Sequence, residues 1–448
     1  MLHPLVAMWM LIAIALILTL PRQKAMAPFL LAVFTIPLGQ VVVLGGLHFT
    51  ALRILILTVL ARRALTPSTS SPGKFPEGFS AIDRATILFM LVDISVQTVA
   101  WMDQQMFIKL LGDLVDSLGG YLAIRFLVPD GESIRRAVKV LAAVCVIQGI
   151  CMINEQITHI NIFGLLGGVQ LQTEFRSGRY RSGGVLGPLI SGVVGGTLFP
   201  AFFWLWEDGK SRVAALAGLA GATAMVFTST SSTSWMALGG SLLGLSFWSM
   251  RKQMRLVRWG LVLTLVGLHL TMNGPVWSLI EHIDLTGGSS SYHRYMLVDN
   301  CIRHFSDWWL LGYKDYNTWG FDMWDLCNQF VSVALTGGLV SLIAYVMIFV
   351  RTFAAIGKAR KRVSGDRKKE WLLWCLGTSL FANLVAHFGI NYTVQLTMSF
   401  FPLLAFISVA TLEIMHATVK SAAPLRGLEL DAAVCPGDGY APVNQTGI

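Results

Sequence analysis

The sequence predicts an all-α, polytopic membrane protein of about 12–13 transmembrane helices, with one large outer loop that contains an amphipathic helix. Two observations predict it. The 448 residues are 54% hydrophobic and only 13% charged, with a mean hydropathy of +0.62, where soluble domains carry about 25% charged residues. Uncharged apolar runs also recur from end to end, so that no segment holds a water-soluble domain's share of charge. Soluble folds, disordered chains and disulfide scaffolds are thereby excluded.

Apolar runs between charges give thirteen spans, at 3–20, 25–46, 48–61, 84–101, 105–127, 137–153, 184–206, 212–229, 234–250, 256–273, 330–350, 371–389 and 394–414. The first lacks the basic leader of a cleaved signal peptide and is followed by Pro21, Arg22 and Lys24, so it reads as a retained helix. Val213 to Met250 is 38 residues without a formal charge. As one helix it would run to about 57 Å against a hydrocarbon core of roughly 30 Å. It must turn, and the Thr228 to Ser234 tract is the natural corner, because hydroxyls there can satisfy freed backbone groups.

The net charge of +9 and pI near 9.3 record orientation rather than a nucleic-acid partner, since Lys and Arg are retained on the cytoplasmic side. With the amino terminus outside, Arg53 and Lys109 fall within spans and Arg176, Arg179, Arg181, Arg294, Arg303 and Lys314 fall outside, which places the other 26 of the 34 cations inside. Residues 1–416 then form the transmembrane domain, and 417–448, rich in Gly, Pro and Ala, a flexible cytoplasmic tail. Cys145, Cys151 and Cys375 sit in apolar runs as small core residues, and no CxxC pair marks a metal site.

Two outer loops, 154–183 and 274–329, are long enough to carry a site. The first ends in Arg176-Ser-Gly-Arg179-Tyr-Arg181-Ser-Gly-Gly, immediately before a span that opens Val185-Leu-Gly-Pro188. Guanidinium forks match phosphate oxygens, and glycines let backbone approach a ligand, so the cluster suits a diphosphate at the outer leaflet; lipid headgroups are the other reading. In the second loop, Ser289-Ser-Ser-Tyr-His293-Arg294 opens a helix over 291–309 that carries the i, i+4 pair Asp299 and Arg303, followed by His304. Trp308, Trp309, Tyr313, Tyr316, Trp319, Phe321 and Trp324 crowd the next span, as a membrane-interface belt or as sugar-stacking surfaces. Asp322, Asp325 and Asn328 precede it, and Gly337-Gly338 lie further in. Cys301 and Cys327 share this loop, as a bridge or as free thiols. Lys109, Asp113 and Asp116 lie on one helical face with Asp93 on the preceding span, which reads as a structural Lys109–Asp113 pair rather than a proton relay.

The order of outer-loop arginine before a Gly-Pro span, Ser229 to Ser234 corner, large outer loop with Arg294, and Asp325-Leu-Cys-Asn328-Gln-Phe before Gly337-Gly338 resembles the bacterial O-antigen ligase and O-antigen polymerase superfamily, best over about residues 170–350. Many members of that family carry a His-Asn pair where this chain has Cys327-Asn328. The resemblance implies a metal-independent, inverting glycosyltransferase of the bacterial cytoplasmic membrane that polymerises or ligates glycan at the outer face, as in O-antigen or exopolysaccharide synthesis. The donor would be a polyprenyl-diphosphate-linked glycan, the acceptor a glycan or a lipid, and the partners membrane lipid and other polysaccharide-assembly proteins. No cofactor is expected. Arg181 and Arg294 match the family's two outer arginines, with Arg176, Arg179 and Arg303 in support, and Asp325, with His304, Asp299 and Asn328 as rivals, would take the proton from the attacking hydroxyl. A transporter or flippase for a lipid-linked sugar is the alternative.

Overall fold

The structure, a computed structural model, describes residues 2–66, 78–176, 178–282, 291–320 and 322–431. Ser289, Phe321 and the tail beyond Asp431 lie outside these residues. The chain is helical almost throughout. The amino-terminal half comprises α1 (Pro4–Thr19), α2 (Arg22–Thr35), α3 (Ala51–Leu65), α4 (Ala81–Trp101), α5 (Gln104–Leu114), α6 (Gly120–Leu127), α7 (Gly131–Thr158), α8 (Pro188–Glu207) and α9 (Arg212–Ser229). It continues with α10 (Ser232–Ser246), α11 (Met254–Thr271), α12 (Ser291–Arg303), α13 (Phe305–Trp308), α14 (Gln329–Arg362), α15 (Arg367–Ala386) and α16 (Val394–Asp431). Six of the described helices, α7, α8, α9, α11, α14 and α16, are long and apolar enough to cross a membrane. The protein is a multi-pass, all-α membrane protein. Among the described residues strand is confined to two short antiparallel hairpins, β1 (Val41–Leu44) with β2 (Leu47–Thr50), and β3 (Glu174–Arg176) with β4 (Arg179–Arg181).

Each predicted span contains helix, but three differ from expectation. The run read as a span over 25–46 stops at Thr35, and β1 and β2 follow. Pro37 cannot continue a helix, and Gly45 and Gly46, both at positive φ (58° and 80°), supply the two-residue turn that right-twisted hairpins favour. The 105–127 run is α5 and α6 joined by a π-helical turn, Val115–Gly119. Arg53 meets Asp116 of that turn at 2.7 Å, whereas Lys109 and Asp113 are exposed. The expected Lys109–Asp113 pair is therefore replaced by Arg53–Asp116: the π turn carries Asp116 inward, where a cation from another span is available. The predicted corner falls at Thr230, whose left-handed backbone (φ 43°) separates α9 from α10. The last span does not end near 414 but continues as helical backbone to Asp431.

The interior is a bundle in which α7 packs on α9, α9 on α8, α8 on α10 and α10 on α15, and α4 lies along α14. Its two ends are chemically distinct. At one, Arg22 donates to the Phe126 carbonyl (2.6 Å), Arg135 pairs with Asp208 (2.9 Å), and Arg251 and Arg360 share Glu370 (3.3 and 3.0 Å). The opposite end gathers the β3–β4 hairpin, the Thr230 corner and the 291–328 segment. This is the segregation that the charge count predicts.

One break in the bundle bears on the site. Gly338 interrupts α14 at φ 68°, a conformation open to glycine. The Trp309–Tyr313 segment docks into the gap: Tyr313 N–H donates to the Leu335 carbonyl at 2.8 Å, and Leu339 N–H to the Trp309 carbonyl at 2.9 Å. Both freed backbone groups are thereby satisfied, as non-helical backbone at membrane depth requires. The large loop is thus fastened onto the bundle beside the start of α14.

Candidate functional site

Arg181 closes β4, opposite Glu174 in the hairpin register. The hairpin is held to the bundle by a buried acid, Glu155 of α7, whose Oε2 accepts from the N–H groups of Gly183 (3.0 Å) and Gly184 (2.9 Å). Ser182 N–H donates to the Thr228 carbonyl at 3.0 Å, and Arg181 Nε to the Ser229 carbonyl at 3.4 Å. The arginine is consequently laid against the corner between α9 and α10. Arg294, on the first turn of α12, reaches the same corner from the other loop and donates to Thr233 Oγ1 at 3.1 Å.

Both guanidinium groups are buried, with only 7% of Arg181 and 6% of Arg294 exposed. Neither is well neutralised. Arg181 has only the half-exposed Glu174 carboxylate, at 3.5 Å, and Arg294 forms no ion pair among the described residues. Its Nε is buried without a hydrogen-bond partner. Burial is the chief cause that lowers both arginine pKa values, and Arg176 repels both; Arg181 is also repelled by Arg294. Arg176, Arg181 and Arg294 thus act on one another's charge, and Cys327 and Asp325 are the neighbours that favour the charged form of Arg294.

The corner adds neutral donors. Ser231 precedes α10 without a side-chain cap bond, leaving the helix's first N–H groups uncapped from that side. The hydroxyls of Ser231 and Ser234 are buried and unpartnered. The Ser234 hydroxyl fits because α8 presents Gly192 to it; any Cβ at that position would overlap the Ser229 and Ser234 hydroxyls. Two buried cations, an uncapped helix N-terminus and unpartnered hydroxyls form a cradle for a polyanion.

The remaining predicted residues divide. Asp325 is exposed and lies close enough to Arg294 to act on its charge, and its carbonyl oxygen sits 2.8 Å from His293 Nε2. Arg179 is exposed on the hairpin. Asn328 is spent as the cap of α14, its Oδ1 accepting from Phe330 N–H (3.0 Å) and Val331 N–H (3.2 Å). Asp299 is occupied by Arg303 (2.7 Å) and by the Trp277 indole N–H (3.1 Å). His304 is paired with Asp307 at 3.1 Å and stacked on Trp319, with ring centroids 4.5 Å apart. Arg303 and His304 follow Arg294 on the chain by nine and ten positions, about 14–15 Å along a helix at 1.5 Å per residue. Asp299, Arg303 and His304 therefore build the loop, not the cradle. Cys301 and Cys327 are free thiols, not a bridge; Cys301 is buried in the loop's apolar core, and Cys327 faces Arg294.

Sequence reasoning missed Glu155, Thr233 and the unpartnered hydroxyls of Ser231 and Ser234 as parts of the site. The hydroxyls had been read as backbone satisfiers at a turn. Glu155 lies 21 residues before Arg176 and carried no local signal that it would hold the Gly183 and Gly184 N–H groups. A scan against protein-family models gives no match to this chain, and a search of curated proteins gives none either.

Proposed function

We propose that the protein is a membrane glycosyltransferase that uses a polyprenyl-diphosphate-linked glycan as donor, at the outer face of a bacterial cytoplasmic membrane with its carboxyl terminus inside. The observation that supports this reading best is the cradle itself. Two buried arginines from separate loops lack adequate counter-ions and meet at an uncapped helix start. Burying an ion without a partner costs several kcal/mol, a cost that a bound anion offsets. A diphosphate supplies two adjacent phosphoryl groups, one for each guanidinium fork. The resemblance to the O-antigen ligase and polymerase superfamily places Arg181 and Arg294 in this role.

In the proposed reaction a hydroxyl of the acceptor, a second lipid-linked glycan or a lipid anchor, attacks the anomeric carbon of the donor sugar. The new glycosidic C–O bond forms as the bond to the diphosphate breaks. Arg181, Arg294 and Arg176 stabilise the charge that develops on the leaving group. Asp325, exposed beside Arg294, takes the hydroxyl proton.

The test is transfer by the purified protein in liposomes that contain a polyprenyl-diphosphate glycan. The expected outcome is glycan lengthened or moved to a new anchor, with free polyprenyl diphosphate released in equal amount. Movement of intact donor across the bilayer with no new glycosidic bond would overturn the reading in favour of a transporter.

A further inference from the structure

Beside the arginines is a cluster of three ligating side chains, of which the reaction scheme above uses only Asp325; a metal on one of its carboxylate oxygens leaves the other to accept the proton. One ligand atom each from His293, Asp325 and Cys327 lies within 4.8 Å of the others. They come from two elements, the first turn of α12 and the segment that leads into α14. The second element is fixed against the first and against α14. Leu326, between Asp325 and Cys327, is buried in the loop core with Leu297, Cys301, Trp308 and Met323, and Asn328 caps α14 immediately afterwards.

We propose that His293, Asp325 and Cys327 bind one transition-metal ion of the zinc class, leaving one coordination position open. The donor set selects the metal. Imidazole, thiolate and carboxylate together suit Zn²⁺ or Co²⁺, while a sulfur ligand is wrong for Mg²⁺ or Ca²⁺. Bond lengths of roughly 2.0–2.3 Å in a tetrahedral site put ligand atoms about 3.5 Å apart. The present spread of up to 4.8 Å exceeds that by little more than an ångström. Three protein ligands with a free fourth position is the pattern of zinc sites that take water or a substrate oxygen. A metal-bound histidine ordinarily donates its second ring N–H to a carbonyl or carboxylate; the Asp325 carbonyl oxygen, 2.8 Å from His293 Nε2, shows that such an acceptor is within reach of this ring.

Charge and protons balance. The metal displaces the thiol proton of Cys327 to water, so that Zn²⁺, thiolate and carboxylate sum to neutral around a neutral imidazole. Arg294 stays beside the thiolate as an uncompensated cation, which favours an anionic oxygen in the fourth position. Since His293 adjoins Arg294 in the chain, the metal would also clip the start of α12 to the entry of α14 and fix the arginine between them. The sequence-derived scheme needs no metal, and this site does not rest on glycan transfer, because metal content is measured without a donor.

The experiment uses the full chain in detergent, with its affinity tag removed. It is loaded with ZnCl₂, desalted and analysed by inductively coupled plasma mass spectrometry. The expected result is about one zinc per chain, as one closed ligand set requires. Cys327→Ala and His293→Ala should each lose most of it, while Arg303→Ala, which alters the far end of α12, keeps it. Loading with Co²⁺ should give a thiolate-to-cobalt charge-transfer band that Cys327→Ser abolishes. This band is read first in the unmodified protein, so misfolding of a variant does not decide the outcome. Substoichiometric zinc in the unmodified protein, no charge-transfer band, or equal zinc in a His293→Ala/Cys327→Ala double variant would each overturn the proposal.

Discussion

The two ends of the bundle bury arginine in opposite ways. At the basic end, Arg125, Arg135, Arg251 and Arg360 are answered by carboxylates, while Arg22 has the Phe126 carbonyl instead. Arg125 lies 3.4 Å from Asp83, which also accepts from the Tyr121 hydroxyl at 2.5 Å. Arg135 has Asp208 and Glu132, and Arg251 and Arg360 divide Glu370 while stacking on Trp248 and Trp374. At the other end, Arg181 and Arg294 are as deeply buried but have between them one ion pair among the described residues, that of Arg181 with the half-exposed Glu174, and Asp325 beside Arg294 is exposed. A buried ion that its own fold neutralises contributes to structure. One left short of counter-charge is costly in the free protein and gains when an anion arrives. The contrast separates architecture from site without reference to any relative.

Removing arginines at each end gives the largest expected effect. Arg125→Ala leaves Asp83 as an unpaired buried charge, at a cost of about 3–5 kcal/mol, and the protein should disappear from the membrane fraction. Arg181→Ala or Arg294→Ala should leave it abundant while glycan transfer falls by about 100-fold or more. Immunoblotting beside an in-cell polymer assay reads both quantities. Lys in place of either site arginine should recover little, because an ammonium lacks the bidentate fork; full recovery would reduce the site to simple charge.

Asp325→Asn sharpens the contrast within the site. The carboxylate is exposed, and if it takes the hydroxyl proton as proposed, turnover should fall by roughly 10²–10⁴-fold with donor affinity retained. A weakened affinity with unchanged turnover would assign Asp325 to binding.

A smaller effect concerns the loop thiols. Burial pushes Cys327 up to about 11 and Cys301 up to about 12. For both, the protonated form is favoured at neutral pH, and the reactive thiolate grows only as pH rises toward those values. In metal-free protein, alkylation of either at pH 8 should be on the order of 100-fold slower than for an unperturbed cysteine, and unchanged by reductant because no bridge exists. Labelling that needs reductant would restore the disulfide reading. The smallest change is Asn328→Ala, which removes the cap of α14 and should cost about 1 kcal/mol, visible as a modest drop in thermal unfolding temperature.

The sequence made some of this legible for physical reasons. Arg181 and Arg294 stood out because cations are rare on the side that the orientation rule depletes. The Thr230 corner followed from length alone, since Val213 to Met250 could not cross as one helix. The β1–β2 hairpin was hidden because Val41–Leu44 extends an apolar run, and a short apolar run carries no period that separates strand from helix. The Arg53–Asp116 pair was hidden because its partners lie on different spans, whereas Lys109 and Asp113 were neighbours on one. Asp299, Arg303 and His304 were legible as a helix but not as scaffold; the stacking of His304 on Trp319 and the docking at Gly338 are tertiary. Nothing local in Ser231, Thr233 or Ser234 said that an arginine from a distant loop would meet them.

The central claim is that Arg181 and Arg294 are held short of counter-charge to receive a diphosphate. Its most direct measurement is equilibrium binding of polyprenyl diphosphate, against polyprenyl monophosphate, to the protein in lipid nanodiscs. The account predicts tighter binding of the diphosphate, with the preference lost in both Arg181→Ala and Arg294→Ala and kept in Arg303→Ala. Equal affinity for the two lipids, or a preference that survives both alanine substitutions, would contradict it.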